Sequence, residues 1–529
     1  MARFAYWFAA AAVTLYVALA TGYRDELLGS DAWEHHRAVR VLAEVGLDAG
    51  NPTQDVPEPS IRYSPYSIVL ALATRATGWD SYDVLSGAGV ANTALLFIGL
   101  YAFLSAYGRA AVAPFALAPL LFLYGAPPGY ANTLALQDLP VHQVNPSAFA
   151  LWLDVFAWAA WRVARARARF RLGAAACAVL IACALLSHGM TGVLGALGLA
   201  AVACTSEPSL RRKATAWTVA SLASAGVLCT LWPWYSFLGA LRSNPDSWFW
   251  FNPAILREML FVWCLPASLA AACALPYRSD EVVRTCGLAL AASLGLGVTA
   301  IALHSATLAR LPLAGLFFAQ VLAGYVLWRW YADGASAWSG VGRALASRDA
   351  GAFAAGALHA LLPAALVYFA VPQLWSVLRE PQLLRPRIAK LAGFDDKLER
   401  PLERYRRVLG PVAEHDVVLA DPLIAWPVPS VRGRIVAAHH LEFFAPGQRD
   451  RWDDTAAFLA AQAPSERRRE ILERYHVRWL LLDRDLESAV LPELLVPACD
   501  VSERDRLVLV DAACWVRQSL TVPAKQESP

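Results

Sequence analysis

The sequence predicts a mainly α membrane protein of about eleven transmembrane helices, followed by a small α/β soluble domain. Three observations predict it. Hydrophobic residues make up 57% of the chain and charged residues only 17%, where a soluble protein carries about 25% charge. The apolar residues come in runs of roughly 16–23, long enough to cross a hydrocarbon core of about 30 Å as a helix. After about residue 375 the pattern changes to dense charge and short apolar stretches.

The first run, "FAYWFAAAAVTLYVALATGY", follows a single basic residue, Arg3, and ends without a small-x-small cleavage site. It reads as a retained span, 4–22, not a cleaved signal peptide. Ten further runs lie near 84–106, 110–125, 145–161, 172–187, 189–204, 215–236, 257–277, 284–304, 311–328 and 352–374. Orientation comes from "WRVARARARFR", 161–171, with five Arg, and "LRRK", 210–213. Cationic loops stay in the cytoplasm. These two lie an even number of spans apart, which places the N-terminus in the cytoplasm and the region after 375 outside. "YSPYSIVLALATRATGW", 63–79, is short, opened by Pro65 and interrupted by Arg75. It predicts a helix along the outer interface within a long first outer loop, 23–83. A second outer loop, 125–147, has no Lys or Arg but carries Asp138 and His142. A third, 241–258, holds Trp248, Trp250 and Phe251 and reads as an interfacial aromatic belt.

The chain thus divides into a membrane domain, 1–375, and an extracytoplasmic domain, 376–529. In the latter, 379–407 reads as a charged connector. "HDVVLAD", "GRIVAAHH", "HVRWLLLDRD" and "RLVLVDAACW" read as buried strands, and "RDRWDDTAAFLAAQ" and "SERRREILERYH" as amphipathic helices. Cys499 and Cys514 flank the strand "RLVLVD"; an oxidising compartment favours a disulfide, though sequence alone gives no distance between them. The other seven cysteines sit in or beside apolar runs without metal-ligand spacing and read as small core hydrophobes. A net charge of +3 argues against a nucleic-acid partner. The absence of an internal repeat gives no support to an inverted-repeat transporter.

The chemistry lies in the outer loops. On "GSDAWEHHRAVRVLAEVG", Ser30 is a good helix N-cap, and Asp31 and Glu34 sit where the helix dipole stabilises carboxylates. Ala38, Val39, Leu42 and Val45 form an apolar stripe for lipid or the bundle. Asp31 and His35, four apart, share a face. A capped amphipathic helix accounts for Ser30, Glu34 and the stripe. It accounts less well for an acid and two His at the membrane-proximal start. The functional reading makes Asp31 a general base, its pKa raised by partial desolvation. Glu34 points to another side and serves the dipole. His35 and His36 would orient the acid, contact a phosphate, or join Asp31 on a divalent metal; two adjacent His cannot both face one ion on a regular helix. Arg62, beside Tyr63, reads as a bidentate phosphate ligand or a snorkelling anchor. Arg310 opens a span, and a charge at that depth usually faces a cavity. His188, in "LLSHGMTG", is a structural turn residue or a substrate contact.

The layout resembles the GT-C superfamily of integral-membrane glycosyltransferases, which includes lipid A aminoarabinose transferases and protein O-mannosyltransferases. The resemblance runs along the whole chain. It is carried by Asp31 in "GSDAWEHH" on the first outer loop, the R-x-x-P of Arg62–Pro65, Asp138 in "LALQDLP", Arg310, and the tail domain with "VVLADPLIAWPVPSVRGRIVAAHH". It implies transfer of a sugar from a polyprenyl-phosphate donor to an acceptor lipid, glycan or protein, with inversion, in a bacterial or archaeal plasma membrane. Asp31 or Asp138 would be catalytic. Arg62, Arg310, Tyr63, His35, His36, His142 and His188 would line the substrate. Neither Asp31 nor Asp138 has a second acid two residues on, so the family's D-x-D pattern is missing. That leans away from a tightly held divalent metal, for which Asp31 and His35 are the candidate ligands, and toward a monophosphate donor. Competing readings are a polymerase or ligase using diphosphate-linked glycans, a transporter of lipid-linked substrate, with Asp154 as its main intramembrane charge, and a noncatalytic scaffold.

Overall fold

The computed structural model describes residues 2–21, 31–46, 49–124, 133–242, 257–334, 350–379, 401–440, 444–485, 494, 499–504 and 506–521. The chain forms two compact units. One comprises Met1–Arg24, Ser64–Tyr66 and Asp83–Asp396; the other comprises Asp25–Tyr63, Ser67–Tyr82 and Lys397–Pro529. Most of the first outer loop therefore belongs to the same unit as the C-terminal residues. The helices up to residue 242 are α1 (Ala2–Ala20), α2 (Ala32–Glu44), α3 (Pro65–Thr77), α4 (Ser81–Ala106), α5 (Ala113–Phe122), α6 (Leu139–His142), α7 (Pro146–Ala166), α8 (Phe170–Ser187), α9 (Gly189–Cys204), α10 (Pro208–Thr230) and α11 (Phe237–Arg242). Beyond them come α12 (Leu265–Ala272), α13 (Glu281–Ala302), α14 (Ala306–Ala309), α15 (Leu311–Asp333) and α16 (Ala350–Arg379).

Each of the eleven apolar runs lies largely on helical residues, because in lipid the backbone must satisfy its own hydrogen bonds. Among the described residues, six helices are long and apolar enough to span: Ala2–Ala20, Ser81–Ala106, Phe170–Ser187, Glu281–Ala302, Leu311–Asp333 and Ala360–Arg379. The other runs lie on shorter, less apolar or more charged helices. α3 has 13 residues, about 20 Å at 1.5 Å per residue. It falls short of a span, in keeping with an interfacial helix. The third-loop aromatics Trp248, Trp250 and Phe251, and most of the connector 379–407, lie outside the described residues.

Several charges in the membrane unit are paired near helix ends. Asp280 caps α13 by accepting from the Val282 N–H at 3.1 Å. It also takes two bonds from Arg109, at 2.8 and 2.6 Å, and one from the Tyr325 hydroxyl at 3.0 Å. The neighbouring Glu281 is paired with Arg162 at 3.0 Å and with Arg165, both from the five-Arg segment. Small residues bring helices together. A Cβ on Gly324 of α15 would lie 2.3 Å from the Ala116 Cα on α5, so only glycine permits that approach. On α9, the Gly195 carbonyl accepts from the Trp158 indole N–H at 2.8 Å. Of the seven free cysteines, five are buried as expected, but Cys183 is partly exposed and Cys204 is exposed.

The second unit is built on a five-stranded mixed sheet, order β2-β1-β3-β5-β4. Its helices are α17 (Pro401–Val408), α18 (Pro422–Ala425), α19 (Val428–Val431), α20 (Gln448–Leu459), α21 (Ser465–Arg474) and α22 (Ala512–Thr521). β1 (Val417–Leu419) runs parallel to β2 (Arg434–Ile435) and to β3 (Val477–Asp483). β5 (Leu507–Asp511) is antiparallel to both β3 and β4 (Asp500–Arg504). Alternation along β3 sends Leu480 and Leu482 to one face and Trp479 and Leu481 to the other. Phe458, Ile471 and Trp515 cover the first face, and Val408, Ile424 and Val428 the second. Burial on both faces explains why "WLLL" is a continuous apolar run. Cys499 and Cys514 form a disulfide with Cα atoms 5.5 Å apart. β4, "DVSER", was not anticipated.

We expect Gly324→Val to lower the thermal unfolding midpoint of the purified protein, because overpacking a close helix contact costs about 1–3 kcal/mol. Gly226→Val, where a Cβ meets nothing within 4 Å, should leave it near wild type.

Candidate functional site

The site is assembled within the second unit, where α2 meets the C-terminal sheet and its connections. α2 begins at Ala32 with Asp31 immediately before it. Ser30, the expected cap, lies outside the described residues. Asp31 makes no side-chain capping bond; its carbonyl accepts from the N–H groups of Glu34 and His35 at 3.0 and 3.2 Å. Nearly all of α2 is buried, Val45 being the exposed end of the expected stripe. The helix packs on the C-terminal part of its own unit: Ser430 donates to the Trp33 carbonyl at 2.8 Å, and Arg40 is paired bidentately with Glu414 at 2.9 Å. The residues Ala38, Val39 and Leu42 of the stripe are buried.

Glu34 is the centre of the arrangement. It lies in the first turn of α2, where the dipole reading put it, and its side chain is 1% exposed. One carboxylate oxygen accepts from His440 Nδ1 at 2.9 Å and the other is ion-paired with Arg62. Burial is the largest single influence on Glu34 and pushes its pKa up. Arg62, the charge and hydrogen bond of His440, and Arg37 together outweigh it and hold the carboxyl well below the usual range. The same Nδ1 lies 3.3 Å from Asp31, whose carboxylate is 44% exposed. Burial depresses the His440 imidazole, but Glu34 and Asp31 overcome that and raise its pKa to about 9. His440 is therefore an imidazolium at neutral pH. His439 beside it is held neutral, lowered by burial and by the His440 charge. Its ring lies 4.3 Å from that of Trp426.

The remaining candidates are distributed as follows. Arg62 faces Glu34. The Tyr63 hydroxyl donates to the Gly50 carbonyl at 2.6 Å, which fixes the loop. His35 is buried. His36 is buried beside Ser81, Nε2 to Oγ 2.9 Å, and burial lowers its pKa to about 3. In the membrane unit, Asp138 ends a 3-10 turn, Leu136–Asp138, whose Leu136 N–H bonds the Gln373 side chain at 3.1 Å. His142 is buried at the end of α6, and Arg310 precedes α15. His188 caps α9, its Nδ1 2.7 Å from the Thr191 hydroxyl, which is a structural role. The sequence reading missed His439, His440 and Trp426. The adjacent pair at the end of "GRIVAAHH" was the one visible signal.

Among the described residues, no group of three His, Cys, Asp or Glu is placed to hold a metal ion. Asp31 and His35 do not converge with a third ligand, and the carboxylates of Asp31 and Glu34 already face Arg62 and imidazolium His440.

No protein-family model matches the sequence. No curated protein matches it either. Solved structures do resemble the fold. The arabinofuranosyltransferase AftD from Mycobacteria superposes with a TM-score of 0.51 at 14% identity, covering 97% of this chain and 40% of that one. ArnT from Cupriavidus metallidurans superposes at 0.50 and 14% identity, covering 96% of this chain and 98% of that one. The Archaeoglobus fulgidus oligosaccharyltransferase gives 0.48 at 11% identity, covering 91% and 70%. The chain has the fold of the GT-C membrane glycosyltransferases.

Glu34→Gln should lower stability by about 3 kcal/mol, since it strands Arg62 and His440 opposite a neutral partner. The pH dependence has a definite sign. A histidine whose folded pKa is raised contributes stability in full below its unfolded value of about 6.5, and loses it as pH rises through the folded value. The wild-type melting temperature should therefore fall as pH is raised through about 9. Glu34→Gln should flatten that alkaline fall; an unchanged slope would remove the pairing as its cause.

Proposed function

We propose that the protein is a membrane glycosyltransferase that moves a sugar from a polyprenyl-phosphate donor to an extracytoplasmic acceptor with inversion at C1. The observation that carries this reading is the placement of Asp31: a half-exposed carboxylate at the mouth of a buried, charge-matched cluster. The shared fold supports it, since AftD is described as an arabinofuranosyltransferase.

In the reaction, the acceptor hydroxyl oxygen forms the bond to sugar C1 while its proton passes to Asp31. The C1–O bond to phosphate breaks, and its electron pair leaves with the polyprenyl phosphate. Asp31 is the general base, with Asp138 the second candidate. The donor tail lies in the bilayer, and the acceptor is a lipid, glycan or protein. The N-terminus is cytoplasmic and the second unit extracytoplasmic.

A transporter is the second reading, favoured by Asp154 of α7. That carboxyl is fully buried, and neither oxygen has a protein partner among the described residues. Intramembrane acids of this kind often serve transport. A transporter would release the lipid-linked sugar intact; a transferase releases free polyprenyl phosphate.

Asp31→Asn should reduce sugar transfer by about 10²–10⁴-fold while leaving folding and donor binding near wild type. Transfer of labelled sugar in nanodiscs, beside donor binding, measures both. Near-normal turnover would move the base to Asp138. For topology, cysteines placed at Ala168 and Gln462 should label from opposite sides of a sealed membrane.

A further inference from the structure

The sequence assigns the donor phosphate at the first outer loop to Arg62, but that guanidinium is ion-paired with buried Glu34. A different cation in the same cluster is better placed. His440 has its two ring nitrogens in different situations. Nδ1 donates to Glu34 at 2.9 Å and lies 3.3 Å from Asp31. That bond fixes the ring's orientation and leaves Nε2 as the second N–H of the imidazolium. Nε2 makes no hydrogen bond among the described residues, and the His440 side chain is 34% exposed. Trp426 and His439 flank the ring, with centroids at 5.0 and 4.8 Å, which limits its swing. Among the described residues, the charged groups facing His440 are Glu34, Asp31 and Arg62, with His439 a further titratable neighbour. The result is an oriented cationic N–H beside the half-exposed acid.

We propose that His440, contributed by the C-terminal part of the chain, is a substrate-contacting residue whose Nε2–H bonds the phosphate of the lipid-linked donor and of the leaving polyprenyl phosphate. This rests on the glycosyltransferase reading above. The charge balance gives the contact a catalytic consequence. In a sugar–phosphate–prenyl donor the phosphate carries one negative charge. When the C1–O bond breaks, the electron pair stays on that oxygen and the phosphate carries two. A preorganised cationic donor aimed at that oxygen is worth more in the transition state than in the ground state. The extracytoplasmic residues then supply both ends of the displacement: Asp31 takes the acceptor proton, and His440 meets the departing charge. Polyprenyl phosphate, the product, is the ligand class the site holds most tightly.

Two substitutions at one position separate the two nitrogens. In His440→Asn the amide N–H₂ can occupy the place of Nδ1 and keep the bond to Glu34, but nothing replaces Nε2. In His440→Gln the amide reaches the Nε2 position and leaves Glu34 without this partner. The probe is a polyprenyl monophosphate in nanodiscs, with the corresponding polyprenol as control. Wild type should bind the phosphate in clear preference to the alcohol. His440→Asn should keep more of the wild-type melting temperature than His440→Gln, because it loses the charge but not the bond to Glu34, weaken polyprenyl phosphate binding by about 10- to 100-fold, leave polyprenol binding unchanged, and lower kcat more than it raises KM. His440→Gln should lose melting temperature and retain more of the phosphate preference. A His440→Asn protein that binds polyprenyl phosphate as tightly as wild type overturns the proposal while leaving the parent reading intact. Wild type that binds the two lipids equally and transfers no sugar overturns the parent reading. Should His440→Asn not fold, wild type labelled with ¹⁵N-histidine carries the test. The His440 Nε2 resonance should move on addition of polyprenyl phosphate and stay in place with polyprenol; a resonance unmoved by both overturns the proposal.

Discussion

A carboxylate buried in protein cannot remain charged unless opposite charge and hydrogen bonds replace the water it has lost. Glu34 is such a carboxylate, and the second unit is organised around its requirement. Arg62 reaches it from the end of the first outer loop, and His440 reaches it from the loop after β2. Neither partner is available to an isolated α2. The helix, the loop and the C-terminal sheet therefore depend on one another. Main-chain pairing reinforces the dependence: the Ile435 N–H on β2 donates to the Thr53 carbonyl at 2.9 Å, and the Gln54 side chain donates to the Val436 carbonyl at 3.0 Å.

This dependence explains what could and could not be read from the sequence. The helices of the membrane unit were legible because lipid imposes a length and a composition on each run. The central strands were legible because a sheet covered on both faces needs unbroken apolar stretches, as in "WLLL". β4 was not, because "DVSER" has one aliphatic residue, Val501, and that residue is exposed; no periodicity marks such an edge. At the site, Asp31 could be picked out as an early loop acid. The role of Glu34 could not. Helical periodicity tells which face is apolar, but not that a polar residue on the helix will meet a histidine 406 positions away. For the same reason "AAHH" looked like the end of a strand, and Arg62 looked free to meet a phosphate.

The membrane unit resolves its charges more locally. Arg162 and Arg165 belong to the five-Arg segment, and both fold back onto Glu281 at the start of α13. Arg165 also donates to the Val202 carbonyl at 2.7 Å, and so ties the end of α9 to the same point. The two arginines thus join α7 to the start of α13 and the end of α9. Where no such partner is provided, as for Asp154 against Gly195, the carboxyl is enclosed by helices.

The separation of Glu34 from His440 also has a consequence in time. A chain made at roughly 5–20 residues per second needs on the order of 20–80 s to extend across the 406 positions between them. Over that interval α2 has been synthesised while half of its charge partners do not yet exist. Its buried face must wait, exposed or held by other factors, until nearly the whole chain has left the ribosome. Completion of this unit is a late event in biogenesis, and a chain cut short before residue 440 would leave α2 as an unfinished surface for quality control to find.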